Sequence, residues 1–158
     1  MMKKMSQVLC VCVALALVGG CGTKSTTSQE TSGKTFITHT ELEQEYRDSI
    51  KKLEFPKGFK VPQQTTEEID ATFQRGYGNT VASYTWQCAW QKEWLERYAS
   101  DSDRANRALK VLEKAPSMPY LDKAHADDAT RRIFKENIDK AKLGDPSGIQ
   151  EDVSANCK

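Results

Sequence analysis

Residues 84–98 read YTWQCAWQKEWLERY, and the fold turns on how this stretch is buried. It holds all three tryptophans of the chain (Trp86, Trp90 and Trp94), two of its five tyrosines, and Cys88. Taken as part of one helix over 67–99, at about 100° per residue, Phe73, Tyr77, Val81, Tyr84, Cys88 and Leu95 fall within a narrow sector. The tryptophans, at i, i+4 and i+8, project from roughly the opposite side. A helix that is apolar on two faces is either buried between layers or buried on one side with a binding ridge on the other. Two readings follow. The tryptophans are core, where each buries on the order of 150–250 Å², or they form an exposed aromatic ridge for a partner, glycan or peptide. Gln87, Gln91, Lys92, Glu93 and Arg97 intersperse polar side chains around that ridge.

Upstream, Thr40 with Glu43 three residues on has the pattern of a capping box, and predicts a helix over 41–53 carrying Leu42, Tyr46, Ile50 and Leu53 on one side. The run FPKGFKVP at 55–62 contains two prolines and a Pro-Lys-Gly turn, so it passes extended, with Phe55, Phe59 and Val61 pinning it to the helices. Thr65 or Thr66 is placed to cap the central helix, with Glu67, Glu68 and Asp70 in its first turn. Gly76 and Gly78 inside it predict a kink or a close approach of another helix.

Downstream, residues 100–103 break the pattern. A helix over 104–114 presents Ala105, Ala108, Leu109 and Leu112, and APSMP at 115–119 ends it. A long helix is expected over 120–143, with Leu121, Ala129, Ile133, Phe134, Ile138 and Ala141 as its apolar side. Gly144 suits its C′ position, and Asp145-Pro146 opens a last short helix over 147–153. No alternating strand pattern is visible. The expected fold class is an all-α domain of about four to five helices.

The N-terminus has a different character. Lys3 and Lys4 precede an apolar run over 8–18, and Gly19-Gly20-Cys21 follows, the layout of a signal peptide. The run is shorter than the ~20 residues a spanning helix needs. The sequence Leu17-Val18-Gly19-Gly20-Cys21 resembles the lipobox of bacterial lipoproteins, a resemblance confined to the first 21 residues. It implies cleavage after Gly20 and a diacylglyceryl group in thioether linkage on Cys21, which becomes the mature N-terminus. Two acyl chains hold a protein stably at a membrane where one does not. The localisation expected is the cell membrane, on its extracytoplasmic face. Gly22, standing where an acidic residue is absent, favours the outer membrane in a host that has two. Residues 22–34, GTKSTTSQETSGK, are small and polar, the composition of a flexible spacer. The organisation expected is therefore signal peptide over 1–20, lipidated N-terminus and tether over 21–34, and helical domain over 35–158.

Processing at Cys21 removes Cys10 and Cys12, and leaves Cys88 and Cys157 in the domain. Two cysteines in an exported domain point to a Cys88–Cys157 disulfide. Processing also removes Lys3 and Lys4 from the 23 basic residues, so 21 remain against 22 acidic ones. A near-neutral domain has no basic surplus for phosphates, which excludes nucleic acid as the expected partner.

Catalytic and cofactor motifs are missing. His39 and His125 are the two histidines. Asp122 and Asp128, three residues on either side of His125, are an incomplete ligand set for a metal, so no metal and no cofactor is expected. Asp101-Ser102-Asp103 starts like a calcium loop but lacks its glycine and its final acid. No phosphate-cradling glycine loop and no Gly-x-Ser-x-Gly turn is present. The function expected is a membrane-anchored binding or interaction module at the cell envelope, meeting an envelope protein or polymer, and not an enzyme. The alternative is an envelope hydrolase or hydrolase inhibitor with carboxylates such as Asp127, Asp128 or Glu93 gathered in a cleft. A structural lipoprotein within a larger assembly is a third reading, with the oligomeric state left open.

Overall fold

The computed structural model describes residues 35–65 and 71–157. The expected signal peptide, the expected lipidation site Cys21 and the expected tether, together with Thr66, Glu67, Glu68 and Asp70 of the expected helix start, lie outside the described residues. Elements run in the order β1 (Phe36–Thr38), α1 (His39–Ile50), β2 (Thr72–Gln74), α2 (Tyr77–Arg97), α3 (Ser102–Leu112), a 3-10 turn at Ala115–Ser117, α4 (Asp128–Lys142) and α5 (Ser147–Asn156). The domain is predominantly helical, as the hydrophobic periodicity required.

The central helix is α2. It packs most extensively against α1 and α3, and also against α5. Trp86, Trp90 and Trp94 lie in the main core cluster with Ala105, Ala108, Leu109 and Leu112 of α3 and with Leu121, Phe134, Ile138 and Ile149. On the side of α1, Leu42 and Tyr46 are buried, as are Ile37 of β1 and Ala82 of α2.

Several boundaries differ from expectation, each for a local reason. The expected helix over 67–99 is too long. Phe73 sits in β2, whose three residues pair antiparallel with β1 in the register Phe36↔Gln74, Ile37↔Phe73, Thr38↔Thr72. This small sheet is a correction to the expectation of no strands; three-residue strands are too short to show alternation. Gly76 is no kink. With φ of +90° it is the N-cap of α2, a conformation that costs glycine little. It has no capping side chain, and the N–H groups of Gly76 and Gly78 instead donate to the Glu45 carboxylate of α1 at 3.0–3.3 Å. A carboxylate at a helix N-terminus satisfies free N–H groups and complements the dipole. The helix start is thus supplied by a residue 31 positions upstream.

The close approach expected at the glycines is real at Gly78. A Cβ there would lie 2.5 Å from the Leu42 carbonyl oxygen and 2.8 Å from the Tyr46 nitrogen, both backbone atoms of α1. Gly78→Ala should therefore destabilise the domain by about 1–3 kcal/mol, the usual cost of overpacking, although alanine is the better helix former. A melting temperature equal to or above that of the wild type would disprove the contact.

In α1 the capping box uses Thr38 and Glu41 rather than Thr40 and Glu43. Thr38 Oγ1 accepts from Glu41 N–H at 3.3 Å, and Glu41 Oε2 accepts from Thr38 N–H at 2.9 Å. Glu43 is drawn inward, where it accepts from the N–H of Thr65 at 2.8 Å and from its hydroxyl. Thr65 therefore does not cap α2. Helix α3 starts earlier than expected because Asp101 caps it, accepting from Arg104 N–H at 3.1 Å.

Helix α4 starts at Asp128, not near residue 120. Asp122 Oδ1 accepts from the N–H groups of Ala124 and His125, and Asp127 caps the helix by accepting from Thr130 N–H at 2.7 Å. Such side-chain bonds offer the backbone an alternative to the helix. Leu121 reaches the core from a turn, while Ala129 and Ile133 face out. The other end is a Schellman motif, with Gly144 at φ +84° and N–H groups of Gly144 and Asp145 on the carbonyls of Ala141 and Lys140. Helix α5 runs three residues beyond the expected end, to Asn156.

Candidate functional site

Residues 53–62 cross the helices as an irregular strap. A turn with Gly58 at φ +88° folds it so that Phe55 and Phe59 stack at 5.5 Å. Two side chains tie it down: Trp90 Nε1 donates to the Glu54 carbonyl at 3.0 Å, and the Tyr46 hydroxyl to the Pro62 carbonyl at 2.9 Å. Buried indole and phenol groups require such partners, which explains why an extended segment keeps one path here.

Between the strap, α2 and α3 lies a cleft of about 450 Å³ lined by Glu54, Phe55, Pro56, Lys57, Trp90, Glu93, Arg104 and Arg107. Glu93 is buried, and its Oε1 receives Arg104 Nη2 at 2.6 Å and Nε at 2.8 Å, with Arg97 Nε at 3.8 Å. At the mouth, Arg107 pairs with Glu54, each side chain 65% exposed. An exposed pair of this kind is worth about 0–1 kcal/mol, so an incoming acid can take the guanidinium at little cost. The two cleft acids each face an arginine rather than one another. The arrangement suits recognition of an anionic group over an aromatic floor.

Two residues singled out in the sequence, Trp90 and Glu93, are thus brought together. The other candidate residues that the structure describes lie outside this cleft. Trp86, Trp90 and Trp94 are 3, 3 and 2% exposed, so the exposed aromatic ridge is corrected: the tryptophans are core. Trp94 stacks on Tyr98 at 5.1 Å. Cys88 and Cys157 are joined by a disulfide with Cα atoms 5.5 Å apart. Cys21 is outside the described residues. Asp127 is engaged in capping α4, and Asp128 is exposed in its first turn; neither lines the cleft that holds Glu93.

Asp122 and His125 do meet, Nδ1 to Oδ1 at 2.7 Å. The imidazole bond holds the Asp122 carboxyl below its usual range, as the Thr130 amide does for Asp127. Among the described residues no three metal-capable side chains converge. Sequence reasoning misses Arg104, Arg107 and Glu54. Arg107 and Glu54 are 53 positions apart, and nothing local marks either. No protein-family model matches the chain, and no curated protein or solved structure is significantly similar to it.

Proposed function

We propose that this protein is a lipid-anchored, extracytoplasmic binding module of a bacterial cell envelope, which meets an envelope protein or polymer close to the membrane. The observation that carries the reading is the succession of an apolar leader, the lipobox-like Leu17–Cys21, a polar spacer and a helical domain. The disulfide supports it, since such bonds persist in oxidising compartments. The cleft of Trp90, Arg104 and Arg107 offers the domain a place to take an acidic group of its partner.

The test is metabolic labelling with a palmitate analogue. The wild-type protein should take up label and fractionate with membranes, and Cys21→Ala should fall to background in both. Label retained by Cys21→Ala would dismiss the anchor. In the same cells, an envelope component recovered with the wild type should be lost from Arg107→Glu. Equal recovery would remove the cleft from the reading while leaving the anchor intact.

A further inference from the structure

A second cleft, of about 230 Å³, lies where the strap turn at 56–59 meets α2, and it shares Pro56, Lys57 and Glu93 with the first. Lys92, Glu96 and Arg97 line the second cleft only. At about 100° per residue, Lys92 and Arg97 stand on either side of Ala89, Glu93 and Glu96, so two cations flank its floor.

The cations of this cleft have weak partners or none. Lys57 is exposed and Lys92 half-buried, and among the described residues neither has an ion-pair partner. Arg97 reaches Glu93 at 3.8 Å and Glu96 at 3.9 Å, both beyond hydrogen-bond distance. Glu93 is already held by Arg104, through two nitrogens. The Arg97 side chain is 34% exposed, so its fork keeps donors for an incoming acid. A half-buried ammonium without a counter-charge is costly, and an anion in the cleft relieves that cost.

We propose that the two clefts form one groove that holds an acidic peptide segment of a partner protein, with one carboxylate in each cleft. The first carboxylate takes the place of Glu54 on Arg107, and the second lies among Lys57, Lys92 and Arg97. The inference rests on the reading of the first cleft as an acid-binding site. Charge sets the chemical class. Across both clefts Lys57, Lys92, Arg97, Arg104 and Arg107 outnumber Glu54, Glu93 and Glu96 by two, one positive charge in excess per cleft. A carboxylate matches that excess, whereas a phosphate monoester brings about 1.5–2 negative charges to a groove that already holds three acids. The arginines of the first cleft already hold the carboxylates of Glu93 and Glu54, so a Glu or Asp of the partner replaces like with like. Phe55 in one cleft and Phe59 in the other, stacked on each other, give the segment an apolar surface.

The experiment is fluorescence anisotropy of dye-labelled decaglutamate titrated with the oxidised full-length protein in nonionic detergent micelles at low ionic strength. The peptide should bind saturably, with a dissociation constant on the order of 100 μM. Decaglutamine should bind at least about ten times more weakly, since it offers no charge. Arg107→Gln and Lys92→Gln should each weaken binding about fivefold or more, while Lys135→Gln, which removes the same charge from α4 outside both clefts, should leave it unchanged. Glutamine is a good helix former, and far-UV circular dichroism confirms that the variants fold. A loss in Arg107→Gln alone would overturn the second cleft and leave the first as proposed. A loss in Lys92→Gln alone would overturn the joint groove and the acid reading of the first cleft with it. Polyphosphate that displaces the peptide at a lower concentration of charge would overturn the peptide in favour of a phosphate polymer. Absence of saturable binding, or an equal loss in Lys135→Gln, would overturn the groove; the palmitate label and the Arg107→Glu recovery then decide the anchor and the first cleft by themselves.

Discussion

Trp94→Ala should cost the folded domain about 3–5 kcal/mol and lower its melting temperature by roughly 15 °C. Trp94 is among the largest fully buried side chains, at 2% exposure, and packs within the core shared by α2, α3 and the elements that follow. Removing the indole leaves a hole that backbone helices close only in part, so a cavity penalty adds to the lost transfer free energy. Domains of this size hold about 5–15 kcal/mol in total, which makes the loss a large share. Urea unfolding of the oxidised protein gives the value. A loss below about 1 kcal/mol, typical of a surface substitution, would contradict the burial. The wild-type emission is a companion readout: with all three indoles buried it should be blue-shifted and poorly quenched by iodide.

Opening the Cys88–Cys157 bond should cost about 4 kcal/mol. The bond closes a loop over a sequence separation of 69, and the chain-entropy model assigns a stabilisation of that order to a loop of this length. The native ties of the C-terminus to α2 are otherwise few. The Tyr84 hydroxyl donates to the Asn156 carbonyl at 2.5 Å, and Gln91 donates to Asp152. Loss of the cross-link should thus free α5 first, because terminal elements fray unless tied down. Urea unfolding with and without reductant measures the effect. The Cys88→Ala/Cys157→Ala variant should match reduced wild type, since both release the same entropy in the unfolded chain. Identical midpoints for oxidised and reduced wild type would mean that the cross-link contributes nothing to stability.

The functional consequences of the two results differ. Burial of the indoles moves the search for a partner surface away from an aromatic ridge and toward the cleft where Trp90 is only the floor. The disulfide fits the extracytoplasmic location proposed above, since such bonds persist in oxidising compartments.

Legibility in the sequence varies by element. Ala105, Ala108, Leu109 and Leu112 recur at the spacing of one apolar helix side, and all four are buried. The break at 115–119, the C′ role of Gly144 and the close approach at Gly78 also follow from residue chemistry alone. The start of α2 is misleading in the sequence because the acidic run after Thr66 looks like a first turn. The true start depends on Glu45 of α1. The choice between two Thr-x-x-Glu pairs is likewise made at long range by Thr65, which claims Glu43 from 22 positions away.

Residue order alone dictates the helical class and the main breaks, and, with the processing at Cys21 proposed above, the one internal pairing left to Cys88 and Cys157. It also carries the lipobox-like start on which the proposed location rests. Packing between distant segments is what turns the tryptophans inward, brings Arg104 and Arg107 to Glu93 and Glu54, and leaves Gln87 with an unpaired acceptor. The physical reason is range. Helical periodicity, turns and the caps at Thr38, Asp101 and Asp127 are set within about four residues, and can be read in order along the chain. Whether an apolar face is buried depends on which distant element covers it. Here the strap supplies the Glu54 carbonyl to Trp90, 36 positions away, and no local pattern records that contact.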